Sequence, residues 1–221
     1  MATAGVVSTI YAAYKKEPAA LWVSLGYFTL MEILQAFTYS VIDQCNNPSN
    51  QMATLLGYLH ITFQPFFISA VSLHFINQNI ARKITPFIYT LCFIGVIMDL
   101  IALYPFTWSP LCAGLPLCGE TLCSVHGSWH IAWMVPVNTT NHNFYWYTLS
   151  GFILPIFYGS WRFTIYHILI GPGLAFLTTS NPNEWPAVWC LFSIGLLLIV
   201  IKTPIRQLLY VRHWWLWSLI E

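Results

Sequence analysis

Charge is what this sequence has least of: eight Lys and Arg and seven Asp and Glu in 221 residues, or 7%, against about a quarter in an ordinary soluble domain. With 57% of the residues hydrophobic and 17% aromatic, too little polar surface remains to cover a soluble fold. The net charge of +1 says little by itself, but no basic patch is present, which argues against a nucleic-acid partner. Also lacking are a glycine-rich phosphate loop, a dinucleotide fingerprint and a nucleophile-elbow motif, so the common soluble chemistries leave no signature. Neither an internal repeat nor a low-complexity linker divides the chain, and residues 1–221 read as a single transmembrane domain.

What is present is a series of long apolar runs. At about 1.5 Å per residue, some 20 residues cross a hydrocarbon core of about 30 Å. The spacing predicts helices over 18–42, 51–76, 85–106, 143–161, 163–178 and 185–201. A shorter run over 2–14 is either a first, short span or an interfacial helix. The fold class expected is an all-α membrane protein, a seven-transmembrane helix bundle, or six if 2–14 is interfacial.

The few cations orient it, because Lys and Arg stay on the cytoplasmic side of short loops. Lys15 and Lys16, Arg82 and Lys83, Arg162, and Lys202, Arg206 and Arg212 all fall on one side of the alternation. That places the N-terminus outside and the C-terminus inside, in a multi-pass protein of a bacterial inner membrane or a eukaryotic or viral one. The tail Trp214, Trp215 and Trp217 then lies in the inner interface.

The outer side receives a long loop, 107–142, rich in Cys and Trp and capping the bundle. Cys45, Cys112, Cys118 and Cys123 lie there, in an oxidising compartment, and suggest two disulfides with three pairings open. A zinc site using those thiolates with His126 or His130 is the competing expectation, weakened by the lack of CxxC spacing. Asn138-Thr139-Thr140 is a glycosylation sequon on the same loop.

Ionisable residues inside the spans cost a few kcal/mol each unless paired or lining a wet cavity. Glu32, His60, Asp99 and His167 count to a common depth of roughly 9 to 17 Å below the outer helix ends. Residues at one level suggest one buried constellation. Glu32 and Asp99 are the catalytic candidates. His60, His130 and His167 are candidate ligands to a divalent metal, zinc, iron or manganese, and Gln64, His126 and His142 are candidates to bind a ligand. The plainer alternative is that these groups hydrogen-bond one another to pin helices. Pro65, beside His60 and Gln64, frees the carbonyl of Ile61, and Gly171-Pro172-Gly173 interrupts the pattern near His167. Two broken helices at one depth suggest a binding site.

The segment SVHGSWHIAWMVP, 124–136, carries His126 and His130 four apart. The pair can chelate a metal only on a helix, and Gly127 argues against one. A tryptophan-rich interfacial lid, with His130 reaching the site beneath, is the expected arrangement.

The chain is similar in outline to the rhodopsins, but the only lysine of the last helix is Lys202, at its inner end, so no retinal is expected. Glu32, Asp99 and the HxxxH pair are similar to the ligand set of the alkaline ceramidase and progestin-receptor superfamily. Its Ser-x-x-x-His is unmatched, since Ser72 and His74 are two apart and inward. The segments PAALWVSLGYFTLMEILQ, YLHITFQPFFISA, WHIAWMVP and NPNEWPAVWCLFSIGLL resemble a family of uncharacterised small polytopic membrane proteins, mostly bacterial, defined only as a domain of unknown function. The resemblance covers nearly the whole chain and implies a shared fold with no catalytic residues to carry over. Three functions follow as expectations: a metal-dependent membrane enzyme acting on an apolar or lipid-like substrate, a transporter or receptor for a small ligand, ion or proton, and a structural or haem-carrying subunit with His60 and His167 as axial ligands.

Overall fold

A computed structural model describes residues 1–138 and 143–219. His142 and the Thr139-Thr140 part of the sequon lie outside the described residues. Helices α1 (Ala2–Tyr14), α2 (Ala19–Thr38), α3 (Pro48–His74) and α4 (Gln78–Leu103) come first. A hairpin of β1 (Cys123–His126) and β2 (Ile131–Met134) follows, and then α5 (Asn143–Thr148), α6 (Leu154–Phe157), α7 (Trp161–Ile168), α8 (Leu174–Thr178), α9 (Trp185–Lys202) and α10 (Ile205–Leu209). Four of these, α2, α3, α4 and α9, are long and apolar enough to cross a membrane.

The boundaries differ from the expected ones where caps outrank hydropathy. Asn47 accepts from the N–H of Ser49 with Pro48 in the first turn, so α3 starts before the apolar run. Asn77 caps α4 through the N–H of Asn79 and starts it at Gln78, ahead of the expected residue 85. Pro65 lies within α3, which continues through it to His74. The segments expected as 143–161 and 163–178 are each divided by a π-helical turn, Leu149–Ile153 and Leu169–Gly173.

α9 is the central post. Ala187, Val188, Cys190, Ile194 and Val200 are all fully buried, and α9 packs against α2, the second π turn and β2. Its sequence is apolar on nearly every face, which suits a helix packed on several sides. At one end of the bundle, Arg206 pairs with Glu17 at 2.7 Å, Arg162 donates to the carbonyls of Leu208 and Tyr210, and Tyr210 bonds His74. The turns after α1, α3, α6 and α9 therefore gather together.

The opposite end carries the hairpin, where a tryptophan-rich lid was expected. Asn50, fully buried near the start of α3, donates through Nδ2 to the carbonyls of Val41 and Ser124 and accepts from the N–H of Ser124. Thr54 bonds the Ser124 hydroxyl at 2.7 Å. These bonds and the Cys45–Cys123 disulfide staple β1 to the α2–α3 turn, while Cys112–Cys118 closes a short loop ahead of it. Trp133 of β2 is buried against Gly57 of α3, where a Cβ would lie 3.3 Å from its ring.

Candidate functional site

Four of the residues expected at one depth occupy separate places. Depth along a helix does not fix direction around it, and these side chains face different neighbours. The His60 ring stacks at 3.8 Å on Tyr27, which Phe67 covers on the other side at 3.6 Å, and the Tyr27 hydroxyl donates to the His60 carbonyl. Asp99 is buried beside Tyr58, whose hydroxyl donates to its backbone carbonyl at 3.0 Å. His167 is buried in an aromatic stack between Phe152 and Phe163, with Trp189 alongside. The space beside it is about 10 Å³. Among the described residues no three His, Cys, Asp or Glu side chains converge as a metal site requires. The expected constellation of Glu32, His60, Asp99, His130 and His167 is thus not formed.

Glu32 and His130 do meet a common space. A cleft of about 430 Å³ at the hairpin end is lined by Glu32, Gln35, Tyr39, Trp129 and His130, with the first residues of α1. Glu32 and Gln35 stand one turn apart on α2 and so share a face. Both are buried, at 6% and 2% exposure, and Oε1 of each has no hydrogen-bond partner. The Tyr39 hydroxyl meets His130 Nδ1 at 2.6 Å with the rings nearly parallel. Trp129 is half exposed on the rim.

The rim is held by Glu184, a residue sequence reasoning passed over. It precedes α9, whose N-terminus favours negative charge. Its carboxylate accepts from the N–H groups of Ser128, Trp129 and His130 and from the Ser128 hydroxyl, at 2.6 to 3.1 Å. Burial opposes ionisation of Glu184, and the three backbone N–H groups and the hydroxyl together outweigh it, holding its pKa below the ordinary value. Burial lowers the His130 pKa, and the nearby Glu184 charge only partly offsets this. The signal in the sequence was NPNEWP, where Asn183 also brackets the loop by exchanging hydrogen bonds with the backbone of Cys118.

Gly127 makes the arrangement possible, because a Cβ there would lie 2.2 Å from the Glu184 carboxyl carbon. Gly127→Ala is accordingly expected to push Glu184 out of the turn, with a loss of hydrogen-exchange protection at Ser128 to His130 and little change at the α3–α4 end. His126, expected as a ligand, instead faces outward to Asp43, which accepts from both its backbone N–H and its ring. That pair of bonds lowers the Asp43 pKa.

Gln64, another residue expected to bind a ligand, does not line this cleft, its amide nitrogen lying 3.9 Å from Cys190 Sγ. No curated protein and no solved structure matches the chain. A family model described as "Family of unknown function (DUF5765)" matches residues 1–210, and the chain, from α1 through α10, belongs to that family.

Proposed function

We propose that the chain crosses a membrane seven times, N-terminus outside, and that its outward cleft binds a small ligand rich in hydrogen-bond donors and carrying positive charge, as a receptor or as the outer station of a carrier. The topology rests on the gathering of the turns after α1, α3, α6 and α9 at one end, where Lys and Arg concentrate. Large apolar side chains also stand exposed on every segment, among them Ile10, Leu30, Met52, Phe93, Phe157, Leu169 and Ile199, which suits contact with lipid. At about 1.5 Å per residue, the helical stretch 161–178 reaches about 27 Å even with its π turn.

The observation that carries the ligand reading is that Glu32 and Gln35 both line the cleft from one face of α2, with Oε1 of each buried and without a partner just beneath its wall. Buried acceptors left empty cost free energy, and a protonated amine satisfies both. Trp129 on the rim supplies an aromatic face suited to a cation. The metal-dependent enzyme has less to rest on, because Asp99, His60 and His167 lie away from this cleft.

Titration of the detergent-purified protein with ethylammonium chloride, against sodium chloride at equal ionic strength, tests the reading. Saturable binding is expected, weakened at least about thirtyfold in Glu32→Leu, the loss typical of breaking a buried charged contact. The empty Glu32→Leu protein should melt at a higher temperature, since an unpartnered buried acid has been removed. Absence of saturable binding in the wild type sinks the reading, and stoichiometric zinc lost with Glu32 or His130 would move it to a metal centre.

A further inference from the structure

A groove of about 620 Å³ opens on the side of the bundle between α2 and α4, both of which pack on α3. It begins at the end where the turns after α1 and α3 gather, and it shares no lining residue with the cleft above Glu32. Gln78, Arg82, Thr85 and Tyr89 line it from α4, at the three- and four-residue spacing of a single helix face. Small side chains keep it open, with Ala20 of α2, Ala70 of α3 and Ala81 of α4 in its walls. Ser24 donates to the carbonyl of Phe67 and ties α2 to α3 alongside. From Gln78 to Tyr89 the α4 wall runs about 16 Å at about 1.5 Å per residue. That is the depth of one hydrocarbon leaflet, half of a core of about 30 Å.

The two ends of the groove differ in chemistry. At the far end the rings of Phe66 and Tyr89 meet at 5.6 Å. At the near end Arg82 is exposed and makes no ion pair among the described residues. Its polar neighbours are engaged: the Gln78 amide nitrogen donates to the carbonyls of His74 and Ile76, the Thr85 hydroxyl donates to the carbonyl of Ala81, and His74 Nε2 bonds the Tyr210 hydroxyl. No acidic side chain lines the groove among the described residues. Glu17, just ahead of its first residue, is paired with Arg206, while Lys15 and Lys16 stand exposed in the same turn.

We propose that this groove seats one anionic phospholipid, its phosphate on Arg82 and an acyl chain running along Ala70 towards Phe66 and Tyr89. The leaflet rests on the orientation proposed above, since anionic lipids give the cytoplasmic leaflet its negative surface. Charge selects the headgroup. A guanidinium presents paired N–H donors to a phosphate, whereas a zwitterionic headgroup brings an ammonium for which the groove offers no carboxylate. Length selects the lipid, because a free phosphate would leave an apolar wall one leaflet deep uncovered.

Native mass spectrometry of the detergent-purified protein, with dioleoylphosphatidylglycerol and dioleoylphosphatidylcholine added in equal amounts, reads the occupant. The wild type is expected to retain one phosphatidylglycerol in about fivefold preference, the discrimination that one cation near a membrane surface supplies. Arg82→Gln should bring the ratio to about one. Arg212→Gln removes an exposed cation that does not line the groove and should leave the ratio unchanged. Ala70→Phe should release both lipids without lowering the melting temperature, because it fills the groove rather than the core. Equal retention of the two lipids by the wild type, or a preference that falls as far in Arg212→Gln as in Arg82→Gln, overturns the proposal. A dimer in place of the lipid adduct also overturns it, and gives the groove to a second copy of the chain. Orientation is tested separately with a membrane-impermeant thiol reagent on intact cells. Asn79→Cys, at an exposed position beside the groove, should stay unlabelled until the membrane is opened. Labelling from outside would overturn the assignment to the inner leaflet, whatever the lipid preference in detergent.

Discussion

Glu184→Ala is expected to lower the melting temperature of the detergent-purified protein by about 10 °C, which corresponds to a loss of about 3 to 4 kcal/mol for a chain of this size. The magnitude follows from what is left behind. The N–H groups of Ser128, Trp129 and His130 all donate to this one carboxylate, and its removal strands them in a turn that packs over the cleft. Water replaces part of the loss, because Trp129 is half exposed. Glu184→Gln should fall in between, since the amide retains an acceptor but turns a donor group towards donors.

The same carboxylate sets a pH dependence. Its folded pKa lies below the ordinary value, so the stability it contributes is fully present above the ordinary glutamate range, near about 4.3, and is lost as pH falls through the folded value. Asp43 shifts in the same direction through its bonds to His126 and adds to the acid limb. Thermal melts between neutral pH and pH 3 in wild type, Glu184→Gln and Asp43→Asn separate the two contributions. An acid limb unchanged in Glu184→Gln would show that the turn does not depend on the charge.

The second large effect concerns the staple between β1 and the α2–α3 turn. Cys45–Cys123 spans 78 positions of chain, and in a chain-entropy treatment its loss costs about 4.5 kcal/mol. Cys112–Cys118 spans only six, and the same treatment gives about 2.4 kcal/mol. Cys45→Ser should therefore lower the melting temperature roughly twice as far as Cys112→Ser. It should also expose the Ser124 amide to exchange, since that hydrogen bond to Asn50 depends on β1 staying in place. Equal losses in the two variants would mean that the hairpin is held by Asn50 and Thr54 alone.

Composition and spacing were sufficient for the four long apolar helices and for the presence of two disulfides, because length and apolarity are properties of each stretch separately. Caps refined the boundaries, and Asn47 and Asn77 were readable in principle, being caps immediately before helical runs. The hairpin was not legible: SVHGSWHIAWMVP has strand-forming residues around Gly127, but what makes it a hairpin is Asn50 gripping Ser124 and Glu184 filling the turn, contacts across more than fifty positions of sequence. The candidate site shows the same division. Glu32 and His130 were visible as polar residues in an apolar chain, whereas Glu184, Tyr39 and Gln35 looked like ordinary helix-end or surface residues.

What the sequence determined by itself is therefore one-dimensional: which stretches are apolar, where cations fall along the chain, and how far along its apolar run each ionisable residue lies. What only the tertiary structure decided is azimuthal. His60 turns to Tyr27, Asp99 to Tyr58 and His167 into an aromatic stack, while Glu32 and Gln35 turn to an open cleft, because the rotation of each helix about its axis is set by the packing of its neighbours, and hydropathy carries no information about it once every face is apolar.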